Sequence, residues 1–189
     1  MQAKTVASTR YETSQVVMPN DANFLGKVFG GAILSMIDLA AYATASRFSE
    51  NITVTASFDR VDFLEPIELG EVVTCVGRVT YVHRTSMEVT IEVYAEDVLK
   101  SKRRHTNTAH VTMVAMKDNK PVEAPRLICE TKKEKAEYLD GWLRRELRLK
   151  GKEELLHSLE ARLFELSDEE LETHFPAPSL QNIFGIPES

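Results

Sequence analysis

Cysteine is scarce in this chain, with two residues in 189, Cys75 and Cys129. They lie far apart, and no apolar export signal is visible from Met1 to Thr9. Free thiols in a reducing cytoplasm are therefore expected rather than a disulfide. Long apolar runs are missing too. The most apolar stretch, Gly31 to Ala45, is broken by Ser35 and Asp38 and is too short to cross a bilayer. Five histidines (His83, His105, His110, His157, His174) show no HxxxH or HExxH spacing, and no cysteine sits at ligand spacing, so no metal is expected. An excess of positive charge is absent as well: 23 basic and 29 acidic residues leave a net charge of −6. That balance excludes a broad basic surface for nucleic acid. No internal repeat or low-complexity segment is present.

What is present fits a folded globular protein, 43% hydrophobic and 28% charged. The length allows one ordinary domain and a tail. Charge divides the chain in the same way. Residues 1–129 carry 14 basic and 15 acidic side chains, whereas residues 130–189 carry 9 and 14. We expect a domain over residues 1–130 and an acidic helical extension over 131–189, whose charge does not favour an anionic membrane.

The periodicities give the order of elements. Thr13 to Met18 reads as a strand, closed by the turn residues Pro19-Asn20-Asp21. Val28 to Ser46 is apolar on nearly every face and predicts a helix buried on all sides. Ile52 to Phe58, Val72 to Val82, Met87 to Asp97 and Thr106 to Met116 are rich in Val, Thr, Ile and Tyr and predict strands. The short link His83-Arg84-Thr85-Ser86 implies antiparallel pairing. One sheet around one central helix makes an α+β fold. Beyond it, Thr131-Lys132-Lys133-Glu134 fits a capping box, Gly151 a stop, and Lys152 to Leu166 a second helix. Ser167-Asp168-Glu169-Glu170 fits a further capping box, and Phe175 to Ser189 is expected to be extended or loose.

Asp38 stands out because it interrupts the apolar helix between Met36-Ile37 and Leu39-Ala40-Ala41. A carboxylate in apolar surroundings loses several kcal/mol of solvation (order of magnitude) unless paired or protonated. It is either catalytic or a structural acceptor for Ser35 or Tyr42. The helix start favours the first reading. Amides at Gly30-Gly31 are uncompensated donors at a positive dipole end, suited to a developing oxyanion, and glycine lets a substrate approach. Asp38 lies eight residues past Gly30, roughly 12 Å along the axis. A shared site at a two-fold interface resolves that separation. Asn23, in the turn before the helix, is a second polar candidate whose amide can orient water or hold a carbonyl.

Several segments together resemble the hotdog-fold acyl-CoA thioesterases (acyl-CoA hydrolases). They are Pro19-Asn20-Asp21-Ala22-Asn23-Phe24-Leu25-Gly26, Val28-Phe29-Gly30-Gly31, Met36-Ile37-Asp38, Ala56 to Pro66, Arg84-Thr85-Ser86-Met87 and Thr108 to Ala115. The likeness runs over about residues 10–135. It implies a hotdog fold, an antiparallel sheet wrapped around a long central helix, here with a C-terminal helical extension. It also implies hydrolysis of acyl-CoA to CoA and a carboxylic acid without metal or other cofactor. The homodimer would be the minimal active unit, with three dimers in a hexamer. By resemblance, Asp38 is the catalytic acid, Asn23 the loop polar group and Gly31 the oxyanion-binding amide, with Asn and Asp drawn from opposing subunits. Arg84, Thr85, Ser86 and Arg60 would bind CoA, whereas Lys102-Arg103-Arg104 reads better as surface charge. The same fold hosts dehydratases, which need an active-site histidine, and none lies between residues 20 and 50. A non-catalytic acyl-CoA sensor and a structural oligomer compete with hydrolysis on this fold.

Overall fold

The computed structural model describes residues 2–59 and 61–155. Short β1 (Lys4–Thr5) and β2 (Tyr11–Val16) precede α1 (Gly30–Ser49). The strands β3 (Ile52–Phe58), β4 (Val72–His83), β5 (Ser86–Asp97) and β6 (Lys102–Lys117) follow. The short β7 (Lys120–Pro121) and β8 (Leu127–Ile128) lead into α2 (Lys132–Leu155). The main sheet has the order β2-β4-β5-β6-β3, all antiparallel, with β7 added to β6. β1 and β8 form a separate parallel pair that the sequence pattern does not announce.

The sheet curls around α1, as expected for the hotdog fold. Ile33, Ile37, Ala40, Ala41, Ala45 and Phe48 bury one helix face against Val79, Val89, Ile91, Val93, Val111 and Met113. Gly77 in β4 permits the close approach. A Cβ there would lie 2.3 Å from the Thr44 hydroxyl and 2.8 Å from Ile91.

Burial on all sides does not hold within one chain. Leu34, Leu39 and Tyr42 are 37%, 64% and 43% exposed, because the sheet covers only one side of α1. β3 ends the sheet, and its Ile52 and Val54 are also exposed. Apolar side chains are thus exposed on the open side of α1 and, separately, on the outer face of the edge strand.

The capping box at α2 is formed: Glu134 accepts from the Thr131 and Glu130 amides, and the Glu134 amide donates to the Thr131 hydroxyl. Gly151 does not stop this helix, which runs on to Leu155. A glycine inside a helix costs only about 1 kcal/mol and does not break the ladder. The remainder of the helix expected to Leu166, the capping box at Ser167 and Arg60 lie outside the described residues. Two compact units divide at Trp142/Leu143, the first holding the sheet and α1.

Candidate active site

The site residues fall in two places along α1, its N-terminal end and its middle. At its N-terminal end, residues 18–29 fold back tightly. Asp21 accepts the Met18 amide on its carboxylate and the Phe29 amide on its backbone carbonyl. Asn23 follows at the mouth of a small turn closed by Gly26, whose φ of +72° a glycine tolerates best. Its Oδ1 accepts the amides of Leu25 at 2.9 Å and Lys27 at 3.1 Å, an Asx-turn arrangement. The oxygen is thereby structural, and the Nδ2 amide is the donor that can face a ligand.

The helix itself opens without a side-chain cap, since its N-cap residue is Phe29. Gly30 and Gly31 differ in what they do. Gly30 lines the cavity described below, and a Cβ there would meet only the Phe63 ring at an ordinary 3.5 Å. A Cβ at Gly31 would lie 2.2 Å from the Phe29 ring, so glycine there makes room for Phe29 rather than for open approach.

A cavity of about 400 Å³ sits beside this helix start, lined by Asn23, Gly30, Ile33, Phe63, Ile67 and Asn107 among others. Two contacts hold its wall in place. Lys27 pairs with Glu68, and the Val28 amide donates to the Ile67 carbonyl at 2.9 Å. Arg104 grips Glu71 bidentately at 2.6 and 2.8 Å, Glu65 at 3.0 Å and the Pro66 carbonyl at 2.7 Å. The Arg104 hydrogen bond holds the Glu71 carboxyl below its ordinary value. Arg104 is thus a structural clamp, while Arg103 stacks on Tyr94 with its guanidinium carbon 4.4 Å from the ring centre.

Asp38 lies two turns away and does not line this cavity. It is half-buried on the flank of α1 rather than enclosed. Its donor is neither Ser35 nor Tyr42 but Thr55 of β3, whose hydroxyl lies 2.6 Å from Asp38 Oδ1. A second rung, Ser46 to Thr53 at 2.9 Å, joins the same two elements. A bulge in β3 between Thr55 and Ser57 sits directly beside this contact. Sequence reasoning does not single out Thr55. The signal for it is the Thr53/Thr55 alternation, which places both hydroxyls on one strand face.

The β4–β5 turn lies at the same sheet end as Asp38: Ser86 pairs with Val114, and Val114 with Val54, next to Thr55. Arg84 is exposed at the turn and lines a hollow of about 440 Å³ with Arg126, Glu123 and Tyr138. Arg126 is a second cation there that sequence alone does not single out. The Thr85 carbonyl accepts the Ala115 amide at 3.0 Å, and the Ser86 hydroxyl donates to the His83 carbonyl at 3.4 Å.

Neither cysteine is a nucleophile candidate. Both are free, and burial pushes the Cys75 thiol up to about 11 and raises Cys129 as well, against thiolate formation at neutral pH. Among the described residues, no cluster of His, Cys, Asp or Glu could hold a metal ion, and no helix is long and apolar enough to cross a membrane.

Residues 25–102 match the thioesterase superfamily. The chain is 36% identical to Protein VdlD of Helicobacter pylori over 147 residues, 78% of this chain and 84% of that one. It is 41% identical to the uncharacterized acyl-CoA thioester hydrolase YkhA of Bacillus subtilis over 119 residues, 62% of this chain and 69% of that one. This chain belongs to the acyl-CoA hydrolases of the thioesterase superfamily.

Solved acyl-CoA hydrolases share the fold. That of Bacillus cereus superposes with a TM-score of 0.76 at 37% identity, covering 84% of this chain and 98% of the other. That of Staphylococcus aureus, solved with butyryl-CoA, CoA and CoA disulfide, gives 0.75 at 32% identity, with coverage of 84% and 98%. A hexameric acyl-CoA thioesterase gives 0.76 at 36% identity, with coverage of 80% and 98%. Variants of the Staphylococcus aureus hydrolase replace an asparagine, an aspartate and a threonine by alanine. Those three positions are separated by 15 and then 17 residues, the separations of Asn23, Asp38 and Thr55 in this chain.

Proposed function

We propose that this chain hydrolyses acyl-CoA thioesters to CoA and carboxylic acid at a site completed by a second copy. One protomer supplies Asn23 and Gly31, and its partner supplies the Asp38 held by Thr55. The observation that carries this reading is the split itself. Within one chain Asp38 is absent from the cavity that Asn23 and Gly30 line, so one protomer holds two unmatched halves. An antiparallel two-fold copy brings one protomer's carboxylate to the other's helix start.

In the proposed reaction, Asp38 takes a proton from water as the water oxygen attacks the thioester carbon. The carbonyl oxygen becomes an oxyanion, held by the Gly31 amide at the helix's positive end and by Asn23 Nδ2. The carbon–sulfur bond then breaks, and the departing thiolate recovers the proton from Asp38 as CoA leaves. A positioned general base contributes about 10²–10⁴-fold, and one oxyanion donor about 10²–10³-fold. Arg84 and Arg126 supply cations for the CoA phosphates, with the Thr85–Ser86 turn beside them. Arg60 belongs to the same proposal on resemblance alone. Three such dimers would form a hexamer like that of the similar solved thioesterase. No redox or metal chemistry is needed for this hydrolysis, and the reading includes neither nucleic acid nor membrane as partner.

Complementation tests the shared site. Asp38→Ala and Asn23→Ala should each lose most free-thiol release from acyl-CoA, by about 10²-fold or more. Refolding the two inactive variants together should restore about a quarter of wild-type sites, since half of random two-fold dimers are mixed and each mixed dimer has one intact site of two. No recovery in proven mixed dimers would place the whole site within one chain.

A further inference from the structure

The cavity beside the helix start is lined by one fully buried polar side chain, and hydrolysis does not use it. Asn107 of β6 is 1% exposed and faces the helix side of the sheet, in line with Ala109, Val111 and Met113. A bulge fixes it there. Val93 pairs with Asn107, but the next β5 residue, Tyr94, pairs with His105, so Thr106 is extra. The Thr106 hydroxyl lies 3.1 Å from the Val93 carbonyl and 3.0 Å from Asn107 Oδ1, its single proton shared between them. Asn107 Nδ2 is buried with no hydrogen-bond partner among the described residues. Buried donors are nearly always paired, so an orphan lining a cavity points to a group that arrives with a ligand.

The rest of the cavity narrows down that group. Val28, Ile33, Phe63 and Ile67 present apolar walls suited to an acyl chain. Asn23, Gly30 and Gly31 are half-buried, whereas Asn107 is almost fully enclosed. The deeper donor therefore lies beyond the place where the thioester carbonyl is held.

We propose that Asn107 is a specificity-determining residue whose Nδ2 donates to an oxygen carried on the acyl chain. The chain would then favour acyl-CoAs bearing a hydroxyl or carbonyl past the thioester over saturated ones of equal length. This rests on the acyl-CoA reading above and deepens it. A saturated chain entering the cavity strips the amide of water and offers nothing in return, so discrimination arises chiefly as a penalty on the hydrocarbon.

CoA release from butyryl-, 3-hydroxybutyryl- and 3-oxobutyryl-CoA tests this, each kcat/KM being divided by the rate of hydroxide hydrolysis of the same ester. Wild type should favour both oxygenated substrates over butyryl-CoA by about tenfold, the size of one neutral hydrogen bond. Asn107→Leu should bring both ratios close to one. Equal losses on all three substrates would overturn the proposal by placing Asn107 on the thioester or in the fold. Preference for the hydroxyl substrate alone would overturn it by turning the carboxamide oxygen, not the nitrogen, to the ligand. No preference in wild type would leave the amide to water and also overturn it, even if Asn107→Leu does not fold. Failure of wild type to release CoA from any acyl-CoA is a different result, and it would sink the underlying reading.

Discussion

Thr55 matters because it fixes one oxygen of the carboxylate that the proposed reaction uses. Its hydroxyl donates to Asp38 at 2.6 Å, leaving the other carboxylate oxygen to meet water. Thr55→Val keeps the shape and removes the donor. It should lower kcat by about 10- to 100-fold, the worth of one hydrogen bond to a charged group, with little change in KM. Thr55→Ser should recover most of that loss in the same steady-state assay; recovery by neither would assign Thr55 to packing alone. Arg84 acts on a different part of the substrate. Arg84→Glu should raise KM about tenfold for CoA esters and leave a short thioester without the nucleotide unaffected. Equal effects on both substrates would detach Arg84 from CoA. Asp38 was legible in the sequence because a charged residue in an apolar helix is a local anomaly. Thr55 and Asn107 were not, since a threonine or asparagine in a strand is ordinary. Their roles come from a partner 17 residues away and from a bulge in the strand pairing.

At the scale of elements, Phe63 to Ile67 wall the cavity, and Arg104 of β6 clamps the segment they begin through Glu65, Pro66 and Glu71. The Glu71 carboxyl, held below its ordinary value of 4.5 by the Arg104 hydrogen bond, is a lowered acid. Its stabilisation is therefore fully present above pH 4.5 and is lost as pH falls through the depressed folded value. Glu71→Gln should cost about 1–2 kcal/mol at pH 7. The gap from wild type in urea midpoint should be constant above pH 4.5 and narrow as pH falls through the depressed folded value. A gap that does not narrow would mean the loss is steric. The central strands and α1 were readable from alternation and apolar content because each buries one face against the same core. Cation roles were readable only in part. Lys102-Arg103-Arg104 looks like a surface run, yet ring stacking by Arg103 and clamping by Arg104 follow from residues far along the chain.

The whole molecule leaves Leu34, Leu39 and Tyr42 exposed on the open side of α1, and Ile52 and Val54 exposed on the face of the edge strand β3 that turns away from the helix. Several large apolar side chains exposed on one helix side mark an interface, and a free strand edge invites pairing. Val54→Lys at the edge should shift sedimentation toward monomer and remove thioesterase activity together. Full activity in a proven monomer would refute the shared site. By itself the sequence determined the order of elements, the family and the anomalous acid, because periodicity, turn residues and buried charge are written locally in the chain. Only the tertiary structure decided that Thr55 holds Asp38, that Arg104 is a clamp, and that Asn107 is an unmatched donor. Each of those depends on which side chains distant in sequence the curling of one sheet around one helix brings within hydrogen-bond or van der Waals reach.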